Sequence, residues 1–486
     1  MRKQLLLAVT LAMLAVLLPS AGAVFAVDCP TAAAPAPLSF APRTYIDRNR
    51  AGGEPVSVIA QDGSISVSSH AGTTHLYKNP ESVAGGGQEF AYGYTNQTLN
   101  WRSDDNGQSW QFVGLAGLRE GPHTATSTGF SDPDYGMDAG GRIYNVEIDL
   151  ANVSVFSSTD DGQTYAFANP MAGSGDRPWV TGGDAEEAIL YVNLPKTLLR
   201  TTDGGITWVP FTNAGPGNGK LLNDRQDPSL DTWIAPVSMD AIAITNDDAK
   251  TWATHAGAGL ANGEQIDPPI AVDKSGNIYM VSDNGSYDGP SDSTPTGKMT
   301  FNYFNRQTME WGETPIEIPT PTGDVLWPWI IAGDDGRVGV AWFQTLAGQP
   351  DVFYIYAAYT TNGHGTPVTC SDGSTSLAPP VFSVANASGA PIHRGDVCLS
   401  GTTCNATTSF PAGDRRLGDF LTVNFDKAGR FFIVSGDTTL PTPTGVQKPI
   451  SNPVFIGTAT GEPLLTTPMS TRATRCPTHL PAPLCS

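Results

Sequence analysis

The chain has 486 residues, 27 Lys and Arg against 47 Asp and Glu, and a formal charge of −20. No block of Lys and Arg offsets this excess, which disfavours nucleic acid or an anionic membrane surface as a partner. Charged residues make up 15% of the chain, below the roughly 25% of ordinary domains, while Gly and Pro number 53 and 39, a composition of turns and strands rather than of a helical bundle.

The chain opens M-R-K-Q-L-L-L-A-V-T-L-A-M-L-A-V-L-L-P, with Arg2 and Lys3 ahead of an uncharged apolar run from Leu5 to Leu18. Small residues follow at Ala21-Gly22-Ala23 and Val24-Phe25-Ala26, so residues 1–26 read as a secretory signal peptide. The run is short of the roughly 20 residues that span a bilayer. Asp28 ahead of Cys29 does not suit a lipidation site, and no later run is apolar enough to insert in a membrane. Export would place Cys29, Cys370, Cys398, Cys404, Cys476 and Cys485 where disulfides form. Cys398 with Cys404 and Cys476 with Cys485 are near enough for local bridges, leaving Cys29 with Cys370, though many connectivities stay open. No C-x-x-C suggests zinc. Sequons at Asn96, Asn152, Asn284, Asn386 and Asn405 matter only in a host that glycosylates.

After a lead-in over residues 27–53, two phrases alternate through residues 54–465, ahead of a Cys-containing tail over 466–486. The first is an acidic residue before Pro, then a short strand, a tight turn with Gly, and a second apolar strand. It appears as E-P-V-S-V-I-A-Q-D-G-S-I-S-V from Glu54, D-P-D-Y-G-M-D-A-G-G-R-I-Y from Asp132 and D-P-P-I-A-V-D-K-S-G-N-I-Y-M-V from Asp267. Related openings stand at Asp176, Asp227, Trp327 and Asp419. The second phrase is S-D-D-N-G-Q-S-W from Ser103, S-T-D-D-G-Q-T-Y from Ser158, T-T-D-G-G-I-T-W from Thr201 and T-N-D-D-A-K-T-W from Thr245. A fifth copy over Asn305 to Trp311 keeps little beyond the aromatic. Asp105, Asp160, Asp203 and Asp247 recur at roughly 40 to 55 residues, the period of propeller blades. Merged, the phrases make one four-stranded blade. Seven openings predict an all-β propeller of seven blades, or six if one unit is split.

These residues resemble the Asp-box, or bacterial-neuraminidase-repeat, propellers of the sialidase superfamily. The resemblance implies that each box lies in the turn between a blade's third and fourth strands. Physical chemistry agrees with a structural role: an Asp can accept N–H bonds within its own turn, and an aromatic packs between sheets. Asp105 with Trp110, Asp160 with Tyr165, Asp203 with Trp208 and Asp247 with Trp252 are therefore read as fastenings, not as an active site.

Chemistry is expected at the channel mouth, where the blade-opening acids would gather. Asp132, Asp176, Asp227 and Asp419 are the candidate acid/base residues, from a pool that also holds Glu54, Asp134 and Asp267. Arg177, Arg225 and Arg416 are candidates for binding an anionic group, since the guanidinium fork suits a carboxylate. Glu54 and Trp179 complete the expected substrate contacts, with Trp327 and Trp329 as further stacking surfaces. The sialidase resemblance implies an arginine clamp and a Tyr–Glu nucleophile pair. The F/Y-R-I/L-P phrase is absent, P-R-T-Y-I-D-R-N-R stands near its place, and no nucleophile is assigned. Arg394-Gly395-Asp396 recurs by chance and carries no expectation. No nucleophile elbow, P-loop or metal-spaced histidines occur. The expected function is a secreted, monomeric, carbohydrate-directed hydrolase of sialidase type, with a glycan as partner. No cofactor is required, and a structural Ca²⁺ is compatible with the carboxylates. The alternative is a non-catalytic glycan- or protein-binding propeller.

Overall fold

The computed structural model describes residues 28–466 except 51, 71–75, 79–87, 91–97, 116–130, 150–151, 195, 213–216, 225–230, 266, 286, 288–295, 400–413 and 442–450. The signal-peptide segment, Arg225, Asp227 and three of the cysteines (Cys404, Cys476 and Cys485) lie outside the described residues.

Seven antiparallel sheets form the blades of a propeller. The first blade runs Gly53–Ile59, Ile65–His70, Thr98–Ser103 and Gln111–Leu115; the second Ser131–Met137, Ile143–Asp149, Asn152–Ser158 and Ala166–Ser174. The third runs Asp176–Gly182, Ala188–Leu194, Thr197–Thr201 and Val209–Thr212; the fourth Leu222–Asp224, Thr232–Ser238, Ala241–Thr245 and Ala253–Ala256. The fifth holds Ile270–Val272, Ile278–Asp283, Met299–Asn305 and Glu310–Trp311; the sixth Val325–Ala332, Val338–Leu346, Gln349–Thr360 and Ser383–Asn386. In the seventh, Thr422–Phe425, Phe431–Asp437 and Asn452–Thr460 are joined by Ser39–Phe40 from the other end of the chain. Ser39 pairs with Thr460 and Tyr45 with Val454, so the lead-in closes the ring. A disulfide joins Cys29 to Cys370. Cys398 is also disulfide-bonded.

Each blade's first strand is a sheet edge, so a Pro there costs no ladder bond; this is why Pro55, Pro133, Pro178 and Pro328 are tolerated. The second strands lie between neighbouring blades and are covered on both faces. Ile65–His70 (I-S-V-S-S-H) and Ile278–Asp283 (I-Y-M-V-S-D) are buried at every position, their polar side chains included, so burial there does not follow the alternation of apolar and polar residues. Trp101, Trp233, Trp342, Tyr144, Tyr191 and Tyr279 are the large rings filling this core.

The four boxes occupy the turns between third and fourth strands and share one bonding scheme. Ser103 Oγ donates to Asp105 Oδ1 at 2.9 Å and accepts from Gly107 N at 2.8 Å, while Ser109 N donates to Asp105 Oδ1 at 2.8 Å. Asp160, Asp203 and Asp247 accept from Thr164, Thr207 and Thr251 N, each at 2.9 Å. These bonds hold all four carboxyls below the usual carboxylate range, against what little burial they have. Trp110 meets Phe455 at 5.7 Å, Tyr165 OH bonds Tyr135 OH, Trp208 Nε1 bonds Gly205 O, and Trp252 is half-buried against the central core. Asp161 of the second box bonds Gln61 N in the first blade's opening hairpin at 3.2 Å. The boxes thus mark the face where first strands end, and the blade openings mark the other.

The Asp227-Pro228 opening lies outside the described residues, between Leu222–Asp224 and Thr232–Ser238 in chain order. The turn after Gln349–Thr360 imitates a box that the pattern missed. Thr360 Oγ1 donates to Asn362 Oδ1 at 2.8 Å, with Asn in place of Asp, His364 in place of Gly and Pro367 in place of the aromatic.

Candidate functional site at the channel mouth

Glu54, Asp132, Arg177 and Trp327 each precede a proline at the start of a first strand, with φ of 45°, 49°, 60° and 50°. Left-handed backbone is uncommon for residues with a Cβ, and here it recurs at equivalent places in four blades.

Arg177 is the hub. Its Nη2 is ion-paired with Asp419, and its Nε lies 3.8 Å from Asp132 Oδ2. Arg415 reaches the same Asp419, donating from Nη2 to Oδ2 at 2.6 Å. Glu54 is fully buried, with His70 Nε2 3.8 Å from its Oε2. Asp267 accepts Trp179 Nε1 at 3.0 Å and Asn193 Nδ2 at 2.9 Å. Asp176 accepts the Arg177 N–H at 3.0 Å and is the exposed acid of the group.

Proton affinities diverge across this cluster. Burial pushes the Glu54 carboxyl up to about 7; Asp132 adds to the rise, and Arg177 and Arg415 oppose it. Burial pushes the His70 imidazole down to about 3, leaving it neutral. Although Asp176 is exposed as a residue, its carboxyl is partly shielded and pushed up by that burial, then by Asp132. Asp267 is raised by burial against the pull of Arg177. Arg177 is raised by Asp132, Glu54, Asp267 and Asp176, which outweigh its own burial.

Below these charges lies an aromatic floor. Trp179, Trp329 and Phe420 come from the third and sixth blades and the lead into the seventh, with ring centroids 5.4 to 5.9 Å apart. Arg177, Asp267 and Asp419 line one cleft with Trp179, Trp327 and Trp329. Under the floor, a cavity of about 300 Å³ continues down the channel.

The cluster therefore brings together Glu54, Asp132, Asp176, Arg177 and Asp419, with Trp179 and Asp267 beside them. Asp134 turns elsewhere and takes Lys220 Nζ at 2.7 Å on both oxygens. Arg416 grips Asp414 through Nε at 3.0 Å and Nη2 at 2.6 Å, in a second buried group with His393 Nε2 3.8 Å from the same carboxylate. Its neighbour Arg415 reaches Asp419; an Arg-Arg pair carries no signal of which faces inward. His70 was missed for want of any pattern, since it ends a second strand and meets Glu54 only through the fold. Among the described residues, no three His, Cys, Asp or Glu side chains are placed to hold a metal ion.

Fold and turns define a seven-bladed propeller fastened by Asp-boxes. No protein-family model and no curated protein matches the chain. Solved structures match at low identity. YCF48 bound to a D1 peptide is 11% identical, covering 89% of this chain and 97% of that one, with a TM-score of 0.38. The Penicillium chrysogenum α-L-arabinanase complexed with arabinobiose is 12% identical over 88% and 98%, at 0.35. An α-L-arabinofuranosidase of Fusarium graminearum with arabinobiose is 12% identical over 85% and 97%, at 0.38. At these values the likeness concerns the ring alone.

Proposed function

We propose that the protein is an exported, carbohydrate-directed hydrolase that works at the channel mouth on exposed glycan ends, as a monomer and without a required cofactor. The observation that carries this is the pairing of Asp132 with the exposed Asp176, whose carboxyl is pushed up by burial and then by Asp132, backed by Arg177 over a floor of aromatic rings. A carboxyl that holds a proton more readily than usual suits the general acid of glycosidic cleavage. Asp176 protonates the leaving oxygen, and Asp132, hydrogen-bonded to it, supports its hold on that proton. Asp419 and Asp267 hold Arg177 and Trp179 in place. The Cys29–Cys370 disulfide suits an oxidising compartment.

A non-catalytic glycan- or protein-binding propeller is the second reading. It is favoured by the burial of Glu54 and by the commitment of both Arg177 and Arg415 to Asp419. Release of product from a panel of glycosides by the purified protein, lost in Asp176→Asn, supports the hydrolase. Glycan binding with no turnover supports the module.

A further inference from the structure

We infer that the mouth selects an uncharged, hydroxyl-rich sugar end and turns away an acidic one, an inference that rests on reading the mouth as a glycan site. Five carboxyl groups (Glu54, Asp132, Asp176, Asp267 and Asp419) meet two guanidiniums, Arg177 and Arg415. Neither guanidinium is an open fork: Arg177 is spent on Asp419 and Asp132, and Arg415 on Asp419. His70 adds no charge near neutrality. The balance stays negative even with a proton on Glu54, so a carboxylate ligand meets repulsion and no free bidentate partner.

The unfilled bonding capacity points the same way. Arg177 Nη1, shut from solvent, donates no hydrogen bond, while the neighbouring Glu54 carboxyl meets Asp132. The unfilled donor calls for an acceptor, and the acids around it call for a donor. A hydroxyl serves both; a carboxylate serves only the arginine. Of the rings in the adjoining cleft, Trp179 is packed shut and the half-buried Trp329 is the one that offers a face to the apolar side of a sugar.

The test uses matched p-nitrophenyl glycosides and the corresponding uronides, which differ only by a carboxylate at C6, together with lactose and sialyllactose. Binding is measured calorimetrically on the wild-type protein at low and high NaCl. The expected result is at least ~10-fold tighter binding of the neutral member at low salt, with the ratio shrinking as salt screens the cluster. Asp132→Asn should shrink it as well. Equal or tighter binding of a uronide or of sialyllactose overturns the charge inference while leaving the mouth a glycan site. Binding of no glycan in the panel overturns both.

Discussion

Glu54 and His70 face each other at 3.8 Å with no access to water, and burial holds both neutral. Their effects on stability have opposite signs. Glu54 has its folded pKa raised from 4.5 to about 7, so the native state holds the extra proton in that window. Its contribution is complete below pH 4.5 and is lost as pH rises through 7. His70 has its folded pKa lowered from 6.5 to about 3, so its contribution is complete above 6.5 and is lost as pH falls toward 3. Between pH 4.5 and 6.5 the two slopes cancel. Glu54→Gln keeps the neutral shape and removes one slope. Urea unfolding should show the wild type losing about 3 kcal/mol relative to Glu54→Gln as pH rises from 4.5 to 7. A constant difference across that range would mean that Glu54 ionises freely in the folded protein.

The boxes were legible because each is a local device: four residue types at fixed offsets satisfy one another within a single turn, whatever the rest of the fold does. The fourth box is the instructive one. Ala249 stands at φ 53°, where the first three boxes carry Gly107, Gly162 and Gly205 at 82°, 80° and 93°. Left-handed backbone costs a residue with a Cβ about 1–2 kcal/mol, against about 0.8 kcal/mol for the buried methyl it supplies. Ala249→Gly is therefore expected to raise stability by up to about 1 kcal/mol in chemical denaturation. A loss of that size would show that methyl packing outweighs the strain. What stayed illegible at this scale depends on partners distant in sequence. The Thr360 turn hides behind Asn362 and His364, and Arg415 differs from Arg416 only in which carboxylate the fold brings to it.

At the scale of the molecule, seven blades could be counted from the sequence because the recurring units are spaced at the period of a blade. Closure could not be read. Ser39–Phe40 and Thr44–Tyr45 are two residues each, too short to show any periodicity, yet they complete the last sheet. The Cys29–Cys370 disulfide, joining residues 341 positions apart, fastens that lead-in to the sixth blade's extra hairpin of Thr366–Thr369 and Thr375–Ala378. Constraining so long a loop in the unfolded chain is worth about 2–5 kcal/mol. Cys29→Ser with Cys370→Ser should lower the unfolding midpoint accordingly, and an unchanged midpoint would show that strand pairing alone closes the ring.

The proposed hydrolase rests on the carboxyl pair at the mouth. Its most direct test is the hydrolysis rate of the best glycoside found by substrate profiling, compared between the wild type and Asp176→Asn with unfolding curves run alongside. The expected result is a fall of at least ~100-fold with the fold intact. Turnover that survives Asp176→Asn, or a glycan bound by both proteins and cleaved by neither, would contradict the assignment of catalysis to this mouth.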